Sequence, residues 1–326
     1  MKNSKRQTLT MRFQNLPRKG YFEGWFYKQV SPDEKTVLCF IPGVSVNNKK
    51  ASPFIQVNLA RKIGDAWQQT TDWADETIFH AQDEPFHLKA GSSAFSRDGL
   101  TADYKGERLH ITGKLEFAGL TLPPATRLAP TIMGPFSYLP GMECIHSVIS
   151  LTHAVTGSVN INGETVDFTG GKGYIEKDWG SSFPKRYVWL QTNHFKRDGS
   201  LFFSWADIPA LGMSFPGYIA HLYYGGQHHR FATYTRGTCR IDFQDEGVDI
   251  VLTNRDSELK IKASRPLGGE LIAPHLGEMR HAIKEGLYGD VSFCLKRKGQ
   301  QGDICDQSEV VGVEIVLEKG ERQREG

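Results

Sequence analysis

The sequence has few of the features that mark a disulfide-rich, zinc-binding or membrane-spanning protein. Its five cysteines are scattered, odd in number and never spaced Cys-x-x-Cys, which argues against a disulfide framework and against a structural zinc site. No uncharged apolar run is long enough to span a membrane, and the first twenty residues lack the apolar core of a secretory signal. We therefore expect a cytoplasmic protein.

The chain also lacks a strong charge of either sign. Its formal net charge is only +2 over 326 residues and its basic side chains form no long stripe, so we expect no nucleic-acid partner. The local exception is the segment 1–19, which is basic and contains no acidic residue. We expect flexible tails at 1–19 and 319–326, and weak attraction of the basic tail to the inner membrane surface is the alternative. The number of subunits stays unknown at this stage.

Motifs for nucleotide binding and for common hydrolases are absent as well. The sequence contains no GxSxG elbow, no Walker loop and no HExxH motif. Its Gly-Gly pairs at 170–171 and 268–269 lack the strand-to-helix setting of a phosphate loop, so turns explain them. The adjacent residues His228 and His229 would diverge on a strand and are not counted as metal ligands. We therefore expect no metal site.

Helix signals are scarce, and short alternating runs separated by turn residues predominate. The best candidate for a helix is 276–285, which is preceded by Pro274 and followed by Gly286. Asn162-Gly163 lies between two alternating runs and predicts a tight hairpin. Further strand patterns occur at 54–59, 108–117, 145–151, 239–243, 248–253, 259–263 and 310–317. These patterns predict an all-β protein of antiparallel barrels or sandwiches.

An internal repeat of about half the chain length divides the sequence. The run GYFEGWFYKQV, followed by a turn and an apolar run, recurs as KRYVWLQTNHF with the same sequel. Trp25 in the first copy and Trp189 in the second are 164 residues apart. We therefore expect two structurally similar domains, at 20–182 and 183–318.

The stretch from Gly170 to Phe195 concentrates polar and aromatic side chains that can build a site. If 174–179 is a strand, Tyr174, Glu176 and Asp178 share one face, and the two carboxyl groups lie roughly 7 Å apart. Two carboxyl groups in a poorly solvated cavity cannot both ionise cheaply, so one stays protonated and can act as an acid. The alternative is that one or both form structural ion pairs with Lys172, Lys177, Lys185 or Arg186.

The next strand has one face that mixes aromatic and amide side chains. This predicted face is formed by Tyr187, Trp189, Gln191, Asn193 and Phe195. Amides in a dry core need hydrogen-bond partners, so the composition suits the wall of a ligand cavity. Gln191 and Asn193 can then hold a polar oxygen of the ligand.

Two further glutamates are candidate acids. Glu23 shares a strand face with three aromatic residues, where desolvation would raise the pKa of its carboxyl group; the alternative is that this face looks outward or hydrogen-bonds across the barrel mouth. Glu143 would share a face with His153, while His146 takes the other face, so these three cannot converge on a metal without a bulge. A glutamate or histidine there can still return a proton during catalysis.

The most distinctive strings in the sequence are GYFEGWFYK, GPFSYLPGMECIHSVISLTH, GSVNINGETVDFTGGKGYIEKDWGSSFPKRYVWLQTNHF and RFATYT. They resemble the tocopherol cyclase family over nearly the whole chain, and that family is similar in turn to carotenoid hydratases and decalin-forming cyclases. The resemblance implies two tandem lipocalin-like antiparallel β-barrels with few short helices. It also implies a cofactor-independent intramolecular cyclase, in which an acid protonates a prenyl double bond of a prenylated quinol and a phenol oxygen closes a chromanol-type ring.

These considerations nominate two sets of residues and leave two functions open. The candidate acids are Glu176, Asp178, Glu23 and Glu143. The residues expected to line the substrate are Trp25, Tyr27, Tyr174, Trp179, Trp189, Gln191, Asn193, His146 and Trp205; the tryptophans can stabilise a cation, although Trp25 can equally be structural. The alternative function is a non-catalytic carrier of an isoprenoid, a quinone or another hydrophobic ligand. Both functions need an apolar pocket, but only the enzyme needs a protonated acid.

Overall fold

The computed structural model describes residues 11–15, 20–127, 129–139, 142–210 and 213–317. The predicted tail at 1–19 therefore lies outside the described residues except for 11–15, and the predicted tail at 319–326 lies wholly outside them. Within these ranges the chain forms 24 strands and two short 3-10 helices, so the prediction of an all-β protein is confirmed. No helix in the same ranges has the length and apolar character needed to cross a membrane.

The strands and helices of the described residues have the following bounds. The first twelve strands are β1 Gly20–Val30, β2 Thr36–Asn47, β3 Lys50–Ile63, β4 Ala66–Asp75, β5 Phe79–Asp83, β6 Phe86–Ala90, β7 Ser93–Ser96, β8 Gly99–Lys105, β9 His110–Thr121, β10 Cys144–Ile161, β11 Glu164–Asp167 and β12 Gly171–Gly180. The others are β13 Tyr187–Thr192, β14 Gly199–Ala210, β15 Met213–Tyr224, β16 Gln227–Ala232, β17 Thr238–Gln244, β18 Gly247–Thr253, β19 Ser257–Ser264, β20 Glu270–His275, β21 Glu278–Gly286, β22 Val291–Arg297, β23 Ile304–Ser308 and β24 Gly312–Val316. The 3-10 helices are Gly134–Tyr138 and Thr233–Thr235.

Two compact units divide the chain. The first contains the residues up to Phe183 together with Glu270–Ala282, and the second contains Pro184–Gly269 and the residues from Ile283 onward. The later segment is attached to the first unit by the side-chain amide of Gln56. This amide donates a hydrogen bond to the carbonyl of Ile272 at 2.9 Å and accepts one from its N–H at 2.8 Å. The first unit is therefore assembled from two separate parts of the chain.

A twelve-stranded antiparallel sheet forms the first unit's framework. Its strand order is β4-β3-β2-β1-β12-β10-β9-β8-β7-β6-β5, and β11 pairs with β10. Alternate side chains enter a hydrophobic core, which contains Trp25 and Tyr27 from β1 and Ile175 from β12. Because neighbouring side chains on a strand point to opposite faces, the even-numbered residues 174, 176 and 178 lie on the face away from this core.

The second unit contains a five-stranded sheet and most of a second antiparallel sheet. The five-stranded sheet has the order β17-β18-β19-β22-β23, and strands β16-β15-β14-β13-β24 are neighbours in the other. Val188 and Leu190 on β13 enter the unit's hydrophobic core. The alternating residues Trp189 and Gln191 therefore lie on the face away from that core.

One local prediction, of a hairpin, is confirmed, and another, of a helix, is wrong. The Asn162-Gly163 hairpin is confirmed, with φ angles of 52° and 93° at the two turn residues between β10 and β11. The helix predicted at 276–285 is wrong, because this segment belongs to strand β21. Leu276 and Gly277 form the turn before it, with φ angles of 51° and 79° that a helix start does not have. Pro274 lies within β20 and Gly286 lies at the end of β21, so neither residue bounds a helix.

A disulfide bond corrects one expectation from the cysteine pattern. Cys294 on β22 and Cys305 on β23 are directly opposite each other and are joined by an S–S bond. Their spacing of 11 residues matches no short motif, so only the pairing of the two strands brings them together. Cys39, Cys144 and Cys239 are not disulfide-bonded.

Gly173 leaves room for two buried polar side chains inside the first unit. It lies opposite Gln29 on β1 and opposite His153 on β10. A Cβ atom at this position would lie 2.1 Å from His153 Nε2 and 2.2 Å from Gln29 Oε1, so glycine is needed for their close approach. The His153 Nδ1 atom lies 3.0 Å from the Ser150 hydroxyl. Burial lowers the pKa of His153 to about 3, so the imidazole is neutral near pH 7.

This buried imidazole should make the protein less stable in acid. Between pH 6.5 and 3 the unfolded chain binds a proton at His153 and the native state does not, so the free energy of unfolding falls as the pH is lowered, by up to about 1.4 kcal/mol per pH unit. We expect His153→Gln to reduce the stability difference between pH 7 and pH 4.5 by about 2–3 kcal/mol, as measured by urea unfolding. The exposed His110→Gln serves as the control. Equal pH dependence in both variants would contradict the prediction.

Candidate functional site

Three ionisable side chains meet on the face of the first unit's sheet that lies away from its core. His146 Nδ1 lies 2.7 Å from Asp178 Oδ1, and His146 Nε2 lies 3.4 Å from Glu176 Oε2. One nitrogen or oxygen atom from each of the three residues lies within 4.8 Å of the others. The histidine ring therefore connects the two carboxyl groups, and we call these three residues the acid cluster.

Strand pairing explains why the acid cluster forms. Strand β10 runs antiparallel to β12, with His146 directly opposite Asp178 and Val148 opposite Glu176. Directly opposite side chains in an antiparallel pair lie on the same face, about 4.5–5.5 Å apart at Cβ. Glu176 and Asp178 are two positions apart on β12 and share that face. The imidazole can therefore reach both carboxyl groups.

Two weakly acidic groups border the acid cluster and hold their protons. The Tyr174 hydroxyl donates a hydrogen bond to Glu176 Oε2 at 2.5 Å, and burial together with the Glu176 charge raises the pKa of Tyr174 well above its usual value. The Cys144 thiol lies 3.6 Å from Asp178 Oδ1, and burial followed by the Asp178 charge raises the pKa of Cys144. Both groups therefore act as hydrogen-bond donors to the carboxyl groups.

The acid cluster is accessible from one end. The side chain of Asp178 is 20% exposed and that of His146 is 13% exposed, whereas that of Glu176 is only 6% exposed. Asp178 and His146 can therefore exchange a proton with solvent, whereas Glu176 is more buried and accepts a hydrogen bond from Tyr174. One histidine and two carboxyl groups can also hold a divalent cation, although the sequence predicts none.

Glu23 has a different environment from the acid cluster. It is fully buried and forms an ion pair with Lys177. Its carboxyl group also accepts hydrogen bonds from the Tyr21 hydroxyl and from the backbone N–H groups of Gln14 and Asn15. Protein donors thus occupy both oxygens, and Glu23 lies on the core side of β1, opposite Trp179. Glu23 is therefore separate from Glu176 and Asp178, and its face does not look outward.

The tryptophans near Glu23 surround a cation that belongs to the protein. Lys177 Nζ lies 4.8 Å from the ring centre of Trp25 and 4.7 Å from that of Trp179. Burial lowers the pKa of Lys177. The Trp25 indole N–H donates to the carbonyl of Met11 at 2.9 Å, and the Tyr27 hydroxyl donates to the carbonyl of Ser96 at 3.1 Å. The side chains of Trp25, Trp179 and Tyr27 therefore all interact with other groups of the first unit.

Glu143 immediately precedes strand β10. Its backbone carbonyl accepts hydrogen bonds from the N–H groups of Ser181 and Ser182 at 2.7 and 3.2 Å. Its carboxyl group is not one of the two that converge with His146. His153 lies in the interior beside Gly173, on the other face from His146, so the predicted separation of these two histidines agrees with the structure.

The nominated residues of the second unit lie on two different faces. Trp189, Gln191 and Asn193 are buried on or next to the face of β13 that lies away from the core. Trp205 belongs to the core instead, and the Arg186 guanidinium lies 4.9 Å from its ring centre. The expectation that Phe195 extends the mixed face is wrong, because β13 ends at Thr192 and Phe195 packs into the core.

Sequence reasoning missed two partnerships that define these environments. It paired Glu176 with Asp178 but did not place His146 beside them, because the register of β10 against β12 is not a local property. It also missed Lys177 as the partner of Glu23. Alternation alone put Lys177 and Trp179 on one face of β12, and that was the available signal.

Sequence comparisons match this chain to one protein family and to two plant proteins. The tocopherol cyclase-like family model matches residues 121–316. The chain is 28% identical over 156 residues to the probable chloroplastic tocopherol cyclase of Oryza sativa subsp. japonica and to the chloroplastic tocopherol cyclase of Zea mays. Each match covers 45% of this chain but only 33% and 32% of the relatives, so the chain spans about a third of the length of the curated relatives it matches.

Two solved structures are also similar to this chain. An AttH-like protein from Nitrosomonas europaea has a TM-score of 0.52 and 15% sequence identity, with 92% of this chain and 93% of that chain covered. Kievitone hydratase from Nectria haematococca has a TM-score of 0.47 and 9% identity, with 91% and 88% covered. At this level of identity, the likeness to the AttH-like protein concerns the fold alone.

Proposed function

Because the chain belongs to the tocopherol cyclase-like family, we propose that it is an intramolecular cyclase of a prenylated quinol or a related apolar substrate. In the proposed reaction, an acid adds a proton to the prenyl double bond and leaves a tertiary cation. The phenol oxygen of the same molecule then bonds to the cation and loses its proton. Because the acid recovers a proton from the phenol, no atom is gained or lost overall.

The observation that carries the proposal is the position of His146 between two carboxyl groups. In the proposed cycle Asp178 delivers the proton, because it is the most exposed member of the acid cluster and contacts His146 at 2.7 Å. His146 accepts the phenol proton and returns it to Asp178, a role for which imidazole is suited near neutral pH. Glu176 and Tyr174 hold the imidazole in place from the buried side.

Apolar side chains on the same face support a cationic intermediate. Phe26 on β1 and Val148 on β10 lie directly opposite Glu176, and both are buried. An aromatic face near a cation contributes about 0.5–2 kcal/mol, and the shortage of water around it slows capture by solvent. A lipocalin-like closure of the sheets around an apolar ligand is part of the same proposal.

Turnover of a hydroquinone that carries one phytyl chain tests this function. We expect the purified protein to convert it into a chromanol of the same mass, detected by liquid chromatography and mass spectrometry. In D₂O the product should carry one carbon-bound deuterium, because the proton added to the alkene comes from the acid. Tight binding with no chromanol would contradict cyclisation and favour the carrier, and neither binding nor turnover would contradict the substrate class.

A further inference from the structure

The second unit buries polar side chains on a sheet face that lies away from its core. Ser200 on β14 and His221 on β15 have no solvent-exposed surface. Their sequence neighbours Leu201 and Leu222 both belong to the hydrophobic core, so Ser200 and His221 lie on the opposite face. In the strand register Phe202 is directly opposite His221, and Ser200 is opposite Tyr223. Ser200 and His221 are therefore diagonal neighbours, roughly 7–8 Å apart.

One ring nitrogen of His221 is hydrogen-bonded to a second histidine, and the other ring nitrogen is not hydrogen-bonded within the described part of the chain. Its Nε2 atom lies 2.9 Å from His228 Nδ1, and one N–H group is shared between these two nitrogens. Its Nδ1 atom has no hydrogen-bond partner among the described residues, and the same is true of the Ser200 hydroxyl. A buried polar group without a partner destabilises the fold. Each such group needs an explanation, and a ligand oxygen can supply the missing hydrogen-bond partner.

We propose that His221 and Ser200 form a binding subsite for a neutral ring oxygen, such as a hydroxyl or carbonyl group of a quinol. A hydroxyl oxygen both donates and accepts hydrogen bonds, so it can serve an imidazole nitrogen and a serine hydroxyl together. Phe202 is fully buried beside His221 and offers an apolar ring face to the ligand. Gln191, directly opposite Phe202 on β13, continues the same face with an amide.

The His221 imidazole offers the ligand a hydrogen bond without a charge. Burial and the charges of Arg230, His228 and His229 lower the pKa of His221 well below its usual value, so the imidazole is uncharged near pH 7. A neutral imidazole offers one hydrogen bond at Nδ1 and no positive charge. His221 therefore contributes a hydrogen bond to the ligand oxygen and no charge of its own.

Binding of trimethylhydroquinone, a ring without a tail, tests the subsite. The choice of a quinol rests on the proposed function, but this test requires no turnover. We expect His221→Leu to raise the Kd for the probe at least tenfold, as measured by calorimetry, because its buried hydrogen bond is lost. Ser200→Ala should raise the Kd about three- to tenfold, and this small change should leave the fold intact. Lys260→Gln, at an exposed position on β19 of the same unit, should leave the Kd unchanged.

The outcomes separate this inference from the proposed function. Failure of the wild type to bind the probe, or an unchanged Kd in both His221→Leu and Ser200→Ala, would overturn the subsite even if the phytyl-substituted quinol is cyclised. Weakened probe binding in both variants supports the subsite even if no chromanol forms. Circular dichroism and the Tm of each variant must match the wild type, and if His221→Leu unfolds, Ser200→Ala decides the result.

Discussion

Replacing Asp178 with asparagine is expected to reduce turnover of the phytyl-substituted hydroquinone by about 10²–10⁴-fold, the usual contribution of a general acid. Asparagine keeps the size of the side chain and a hydrogen bond to His146, but it has no acidic proton to give to the alkene. Binding should change little, because the lost function is needed only in the transition state. The measurement is the initial rate of chromanol formation, with the substrate Kd determined separately.

Asp103→Asn provides the matched control for this change. Asp103 is an exposed aspartate on β8 of the same unit, and its replacement should leave the rate within about twofold of the wild type, as is usual for surface changes. Glu176→Gln should slow the reaction less than Asp178→Asn, since Glu176 acts through His146. Full activity of Asp178→Asn would remove Asp178 from the proposed mechanism.

The second large effect concerns stability. Lys177→Met should lower the free energy of unfolding by about 3–5 kcal/mol, because the fully buried Glu23 loses its counter-ion. Methionine roughly preserves the volume between Trp25 and Trp179, so lost packing contributes little. Urea unfolding followed by tryptophan fluorescence measures the change.

Two further variants separate the buried charge from packing. The double variant Lys177→Met with Glu23→Gln should recover much of the lost stability, because no unpaired charge then remains inside. Lys114→Met removes the cation of an exposed ion pair with Glu116, whose side chains are 66% and 64% exposed, and should cost at most about 1 kcal/mol. If Lys177→Met and Lys114→Met lower the free energy of unfolding by the same amount, burial of the Lys177–Glu23 ion pair is energetically unimportant.

Local patterns in the sequence predicted what depends on neighbouring residues. Period-two alternation placed Tyr174, Glu176 and Asp178 on one face, and Asn162-Gly163 predicted the hairpin after β10. The prediction at 276–285 failed because breakers such as Gly286 also end strands, so they do not by themselves distinguish the two structures.

Pairings between distant strands lay beyond this kind of reasoning. His146 meets Asp178 only through the register of β10 against β12, which contains bulges after Val148. Cys294 and Cys305 meet for the same reason. Alternation also does not reveal which face of a strand enters the core. It therefore does not distinguish the environment of Glu23 from that of Asp178.

The attachment of Glu270–Ala282 to the first unit has a consequence during protein synthesis. A ribosome makes the first 183 residues early, but the partner of Gln56 emerges only after nearly ninety more residues, most of which belong to the second unit. The first unit therefore cannot complete its native contacts while the nascent chain is short, and its folding waits on distant contacts that are slow to form. A fragment cut after Phe183 would lack this segment, so the two units cannot be separated by a single cut in the gene.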